Sequence, residues 1–288
     1  MPVSAKTRVT GLFGYPVGHT LSPAIHNAAF ASLGMDWVYL PFAIPPERLA
    51  GAIEGVRALD LAGVNVTVPH KEAVLSLLDD LAPAAGAIGA VNTVVNRDGF
   101  LTGHNTDADG FLQALREGAG FHPRDRTVLI LGAGGAARAV AVGCALAGAG
   151  EILVANRTAA RAEELATQVE NLSGARARAL TWRGAGDLKA AAFQADLVVQ
   201  ATTRGMHPRA GECPDFPFAA LRRGVLVTDL VYNPAETVFL REARGGGARV
   251  LGGLEMLLRQ GALAFGLWTG REPPVAVMRS ALVRGRSL

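Results

Sequence analysis

The sequence predicts an α/β fold divided into two domains, and three observations carry that expectation. From Arg8 onward, short β-type apolar runs alternate with amphipathic helical stretches, the pattern of an α/β fold with a largely parallel sheet. The chain has 288 residues, 50% of them hydrophobic, enough for a full core and for more than one domain of ordinary size. Near the middle, a strand-like run at 128–131 enters the turn Gly132-Ala133-Gly134-Gly135-Ala136-Ala137 and then a helical stretch, so a second domain is expected to begin close to residue 107.

In the first hundred residues the pattern predicts strands near 9–13, 37–42, 62–68 and 91–95, with helices between them. Ser22-Pro23 reads as a helix start, with Ser as N-cap and Pro at the first position, and Pro45-Pro46-Glu47 opens the next helix in the same way. Asn96-Arg97-Asp98-Gly99 reads as a hairpin turn. A helix over about 107–118 leads into the glycine turn. Further strands are predicted near 128–131, 151–155, 197–201, 225–229 and 249–251. A long apolar helix runs from Gly252-Gly253 to about Trp268, and a last one begins after Pro273-Pro274. The stretch 203–217, rich in Gly, Pro and polar residues, is expected to be a mobile loop beside the cofactor.

Composition removes several function classes. The net charge is only +3 and the basic residues are scattered, which argues against a nucleic-acid partner despite a pI near 9.2. Two cysteines, Cys144 and Cys213, make no disulfide framework, and Cys144 lies in an apolar run; with no apolar leader and no long apolar span, a cytoplasmic setting is expected. No His/Cys/Asp cluster has metal-ligand spacing. Of the 28 basic residues only Lys6, Lys71 and Lys189 are lysines, so each lysine stands out against an arginine background.

A strand, tight glycine turn and helix holds a dinucleotide pyrophosphate on a helix N-terminus. The third fingerprint position is Ala137, which that pattern permits. NAD-binding versions place an acidic residue about 20 residues on for the ribose 2′-hydroxyl, whereas here Asn156-Arg157-Thr158 and Arg161 stand near that place. Guanidinium forks suit a phosphate, so the residues favour NADP over NAD.

Upstream, three polar clusters mark the first domain as the one carrying the substrate. His19-Thr20-Leu21-Ser22-Pro23 brings two hydroxyls to a helix start, where an anion such as a carboxylate is well placed, although plain capping by Ser22 is the alternative. In Asn65-Val66-Thr67-Val68-Pro69-His70-Lys71, alternation puts Asn65 and Thr67 on one strand face, with Lys71 just past the strand end. Asn92 in Ala90-Val91-Asn92-Thr93 is followed by Gly103-His104-Asn105-Thr106-Asp107, where Asp107 reads either as a functional carboxylate or as an N-cap. His19, His26 and His70 read as structural or bystander residues.

These motifs, taken in order with Gly132-Ala133-Gly134-Gly135-Ala136, Asn156-Arg157-Thr158, Asp229-Leu230-Val231-Tyr232-Asn233-Pro234 and Gly253-Leu254-Glu255-Met256-Leu257 leading to Gln260, resemble the shikimate dehydrogenase family over nearly the whole chain. The resemblance implies an NADP-dependent oxidoreductase that interconverts 3-dehydroshikimate and shikimate. It implies a substrate domain of residues 1–106 and 255–288, with the last helices returning to it, and a Rossmann-type NADP-binding domain over 107–254. Lys71 and Asp107 would be the catalytic pair, with Thr20, Ser22, Asn65, Thr67, Asn92, Tyr232 and Gln260 holding the substrate. NADP would lie on Gly132, Ala133, Gly134, Gly135 and Ala136 and on Asn156, Arg157, Thr158 and Arg161, with Leu230 and Gly253 near the nicotinamide. Two departures from the family pattern stand out: Thr20 replaces the usual Ser, which leaves quinate open as a substrate, and Gln200-Ala201-Thr202 replaces Asn-Ala-Thr. A non-catalytic NADP-binding regulator is the alternative of a different class. Assembly as a monomer or homodimer is left open.

Overall fold

Arg8–Gly14 forms β1, apolar and largely buried because it lies inside a sheet rather than at its edge. The computed structural model describes residues 3–18 and 20–285, so His19 lies outside the described residues. The chain divides into two compact units, Met1–Gly110 with Leu257–Leu288, and Phe111–Met256.

In the first unit, β1 is followed by α1 (Ser22–Ser32), β2 (Trp37–Ala43), α2 (Leu49–Ala58), β3 (Gly63–Val66), β4 (Asp80–Leu81), α3 (Pro83–Ile88), β5 (Thr93–Arg97), β6 (Phe100–His104) and the start of α4 (Asp107–Ala119). Their sheet has the order β2-β1-β3-β5-β6-β4. It is mixed rather than wholly parallel, since β3 pairs antiparallel with β5 and β5 with β6. The reason is local: Asp98 (φ 53°) and Gly99 (φ 86°) make the positive-φ hairpin turn that sends β6 straight back along β5. Pro41 is tolerated in β2 because that strand is the sheet edge, where a missing N–H breaks no ladder.

Several boundaries differ from the sequence expectation, and the strand expected near 91–95 runs over Thr93–Arg97. The strand predicted over 62–68 stops at Val66, so Thr67 lies beyond it, and α2 is preceded by a separate tight turn over Pro46–Arg48. Pro23 does open α1, but the cap position is Leu21 and no side chain caps the helix. Ser22 is therefore not an N-cap; its hydroxyl instead accepts a hydrogen bond from Thr20 Oγ1 at 3.2 Å.

The second unit continues through β7 (Thr127–Leu131), α5 (Gly135–Leu146), β8 (Glu151–Asn156), α6 (Ala159–Ser173), β9 (Arg176–Thr181), α7 (Lys189–Gln194), β10 (Leu197–Gln200), β11 (Leu226–Asp229), α8 (Val238–Gly245) and β12 (Arg249–Leu251). These strands pair in parallel in the order β12-β11-β10-β7-β8-β9, the doubly wound order with β7 at the switch point. Helices cover both faces of such a sheet, so its strands are buried along their length, β10 as Leu-Val-Val before Gln200 and β11 as Leu-Val before Thr228 and Asp229; Leu129, Leu153, Val198 and Val227 form its core with Phe239 and Leu240.

The chain ends with α9 (Leu254–Thr269) and α10 (Val275–Gly285). From Leu257 on they belong to the first unit, where Trp268 Nε1 donates to the Val94 carbonyl at 2.9 Å. The first unit is thus assembled from both ends of the sequence.

Candidate functional site

The end of β3 and the start of α4 bring Lys71 and Asp107 into direct contact, with Lys71 Nζ donating to Asp107 Oδ2. Both side chains are nearly out of solvent, at 13% and 5% exposure. A buried ion pair seldom stabilises a fold more than an apolar pair of the same volume, so its presence is better explained by chemistry than by stability. An ammonium has three donors; among the described residues Asp107 is the partner recorded for Lys71 Nζ, leaving two N–H groups for a ligand oxygen.

Asp107 does not act as a cap. Asn105 takes that role, its Oδ1 accepting the N–H groups of Asp107 at 3.0 Å and Ala108 at 3.3 Å, while its amide is fixed to the Ala90 carbonyl at 2.9 Å. This frees the Asp107 carboxylate for Lys71 on one oxygen and for Asn92 Nδ2, at 3.0 Å, on the other. Asn92 is a buried hub: Nδ2 also reaches Thr106 Oγ1 at 2.8 Å and Gln260 Oε1 at 3.2 Å, and Oδ1 accepts the Thr106 N–H at 2.7 Å. Gln260 is held in turn by its own bond to the Leu257 carbonyl at 2.8 Å.

Asn65 joins the same network through the neighbouring strand. Its Nδ2 donates to the Asn92 carbonyl at 3.1 Å and Thr93 Oγ1 at 3.0 Å, and its Oδ1 accepts from Tyr39 Oη at 2.8 Å. Tyr39, which sequence reasoning passed over, is fully buried and stacked on the His26 ring at 4.5 Å. Among the described residues the His26 ring nitrogens meet no hydrogen-bond partner, and burial pushes the pKa down to about 3, so the ring is neutral. His70 Nε2 lies 2.7 Å from the Ile44 carbonyl, a structural contact. Lys71, Asp107, Asn92, Asn65 and Gln260 are therefore joined in one network. Thr20 and Ser22 form a pair of their own, and Thr67, partly buried past the strand end, places its methyl beside Gly14.

The second unit holds a cavity of about 290 Å³ at the carboxyl ends of its strands. Gly132, Ala133, Gly134, Asn156 and Arg157 line it, as the sequence predicts. Gly132 has φ +120°, and a Cβ there would stand 3.2 Å from the Ala201 carbonyl oxygen, so only glycine lets the turn lie so close to the neighbouring strand end. The lining also includes Trp182 and Arg183, which sequence reasoning missed, and Thr202, Arg204 and Asp215, from the end of β10 and the loop expected beside the cofactor. They come from three separated segments and form no motif; only their position just past β9 and β10, at the ligand end of a doubly wound sheet, could have marked them. Two of them add guanidinium groups beside Arg157. Three cationic side chains and the N-terminus of α5 around a glycine cradle fit a phosphate-bearing dinucleotide. Gly135 and Ala136 form the first turn of α5, and Thr158 and Arg161 are exposed at the start of α6, outside the cavity lining.

The loop over 203–217 does border this cavity. Asp215 fastens it to the segment after β9, its carbonyl accepting from Trp182 Nε1 at 2.9 Å and its carboxylate from the Ala185 N–H at 3.1 Å. Leu230 and Gly253 also meet, since a Cβ on Gly253 would lie 2.5 Å from the Leu230 carbonyl oxygen. Tyr232 lies two residues beyond Leu230 and is partly buried. At the end of β11, Asp229 is fully buried, and burial pushes its pKa up to about 7 against the bonds it accepts from Thr237, the Val231 N–H and Gln200.

Comparison with known proteins places the chain in a family. Residues 12–94 match the family model described as the shikimate dehydrogenase substrate binding domain, 116–208 the shikimate / quinate 5-dehydrogenase model, and 253–283 the shikimate 5'-dehydrogenase C-terminal domain. The shikimate dehydrogenase (NADP(+)) of Desulforamulus reducens is 50% identical over 280 residues, covering 97% of this chain and 96% of the relative. The chain belongs to the shikimate dehydrogenase family. Among solved members of that family, a shikimate dehydrogenase in complex with NADP+ superposes with a TM-score of 0.89 at 41% identity, covering 98% of this chain and 97% of that one. The Thermus thermophilus enzyme in complex with NADP(H) and shikimate gives 0.85 at 43% identity, over 96% and 99%. The two-domain α/β fold and the returning C-terminal helices are those expected of the family.

Proposed function

We propose that the protein is an NADP-dependent shikimate dehydrogenase, an oxidoreductase that interconverts 3-dehydroshikimate and shikimate on the route to aromatic amino acids. The observation that carries this reading is the buried Lys71–Asp107 pair bound to the Asn92 hub. Bound NADPH supplies the hydride that reduces a ketone. The chain must then supply a proton at the oxygen that becomes an alkoxide, and a lysine ammonium with two available N–H groups is a compact donor for it. Asp107 orients Lys71, and Asn92 in turn orients Asp107 and Gln260. Asn65 keeps one lone pair and Gln260 keeps its place beside Asn92, so both are suited to substrate hydroxyls. Thr20 and Ser22 are suited to the carboxylate, with Thr67 and Tyr232 completing the substrate set.

In this reading residues 1–106 and 255–288 form the substrate domain and 107–254 the NADP domain. Gly132, Ala133, Gly134, Gly135 and Ala136 hold the pyrophosphate, Asn156, Arg157, Thr158 and Arg161 the adenosine 2′-phosphate, and Leu230 and Gly253 the nicotinamide end. Both cysteines are free, which suits a cytoplasmic protein, and no helix among the described residues is long and apolar enough to cross a membrane. Incubating the protein with shikimate and NADP+ and following NADPH absorbance tests the reading. Turnover with shikimate above that with quinate, and with NADP+ above NAD+, is the expected result; no turnover with either polyol refutes it.

A further inference from the structure

We propose that Gln200, Asp229 and Thr237 form a buried clamp that holds the loop after β10 against the glycine turn, making Gln200 and Asp229 positioning residues for cofactor binding. The proposal rests on the reading of the second-unit cavity as the NADP site. Gln200 and Asp229 end the paired strands β10 and β11 in direct register, and both are completely buried, with Thr237 at 1% exposure.

Every polar atom of the clamp is engaged. Gln200 Nε2 donates to Asp229 Oδ1 at 3.2 Å and to the carbonyls of Arg204 at 3.0 Å and Thr202 at 3.3 Å, while its Oε1 accepts the Thr202 N–H at 2.6 Å. Asp229 accepts from Thr237 Oγ1 at 2.6 Å and from the Val231 N–H at 2.9 Å. Thr202 and Arg204, the residues whose backbones Gln200 grips, both line the cavity. The intervening Ala201 carbonyl is the group that meets Gly132. A buried polar network that is fully satisfied holds one geometry, and here that geometry is the wall of the cavity facing the glycine turn. An ordinary strand end in an apolar core needs none of these groups.

The test compares Gln200→Met, which keeps length and loses the amide, with the pair Thr237→Val and Thr237→Ser. Binding is read as NADPH Kd by cofactor fluorescence, alongside kcat, both KM values and Tm. Loss of one or two hydrogen bonds from the clamp should raise NADPH Kd and NADP KM about tenfold, with kcat at saturating cofactor and shikimate KM within about twofold, and Thr237→Ser should restore wild-type values. If Gln200→Met fails to fold, the Thr237 pair decides. Folded variants that bind NADPH as the wild type does, or that lose shikimate and cofactor affinity equally, overturn the clamp. A wild-type protein that binds no NADPH overturns the cavity reading instead, and is seen before any variant is made.

Discussion

Replacing Asp229 with Asn isolates what it costs this fold to ionise a carboxyl group buried between two strand ends. The substitution keeps the shape and keeps an acceptor for Gln200 and the Val231 N–H, while the new amide can donate to Thr237 Oγ1. In the native protein the Asp229 pKa is raised to about 7, first by burial and only partly offset by its three hydrogen bonds, against 3.8 as its ordinary value. A raised acid favours the folded state fully below the unfolded pKa and loses that contribution as pH rises toward the folded pKa. At 1.36 kcal/mol per pH unit, the whole effect is about 4 kcal/mol, of which about 2.5 kcal/mol falls between roughly pH 5 and pH 8. Urea unfolding of the wild type and Asp229→Asn, followed by circular dichroism across that range, measures it. The stability of the wild type should fall relative to the variant as pH rises and the difference should level off above about pH 8. A difference that does not change with pH, or that moves the other way, would show that Asp229 is not held as a costly buried carboxyl.

Three further outcomes follow from the sites. Lys71→Ala should lower kcat by about 10²- to 10⁴-fold, the usual worth of a positioned proton donor, with substrate affinity by calorimetry largely retained; unchanged turnover would return Lys71 to an ordinary charge. Tyr39→Phe removes the hydroxyl that holds Asn65, and at about 1 kcal/mol should raise shikimate KM roughly fivefold with NADP KM unmoved in steady-state assays. Arg157→Ala should weaken NADP far more than NAD, by about tenfold or more in kcat/KM, since a charge-assisted bond to a 2′-phosphate is worth about 1.5–3 kcal/mol; equal losses with both cofactors would assign Arg157 to the shared part of the dinucleotide.

The parts of this protein that were legible in its sequence are those where a local rule has one outcome. The glycine turn could only join a buried strand to a helix, and Asp98-Gly99 could only be a tight hairpin. Lys71 and Asp107 stood out because one is a rare residue type and the other opens a helix, and they meet. The unread parts depend on partners distant in sequence. Ser22 has the residue type and place of a cap, yet its hydroxyl is engaged by Thr20, and Asn105, two residues before Asp107, caps α4 instead. Tyr39 looks like any strand aromatic until the fold sets its hydroxyl on Asn65, 26 residues away. Trp182 and Arg183 reach the same cavity as the loop that carries Arg204 and Asp215, from a segment about 20 residues earlier, and no spacing announces that. The mixed sheet follows from a hairpin that was foreseen, but its pairing with β3 is a tertiary choice.

The bonds from Gln260 to Asn92 and from Trp268 to Val94 have a consequence for how the protein is made. The strands that they complete are made before the second unit, and the helix that carries both side chains is made after it. At about 5–20 residues per second, the early strands wait on the order of ten seconds for their last layer. During that interval the second unit can fold as a finished parallel sheet, while Val94 and Asn92 still lack their C-terminal partners. Chains stalled before Gln260 should accordingly be cut by protease in residues 8–104 and resist it in 127–251, and the reverse pattern would contradict this order. Until residues 257–285 are made, the sheet of the second unit has all its strands while the first unit still lacks its last layer.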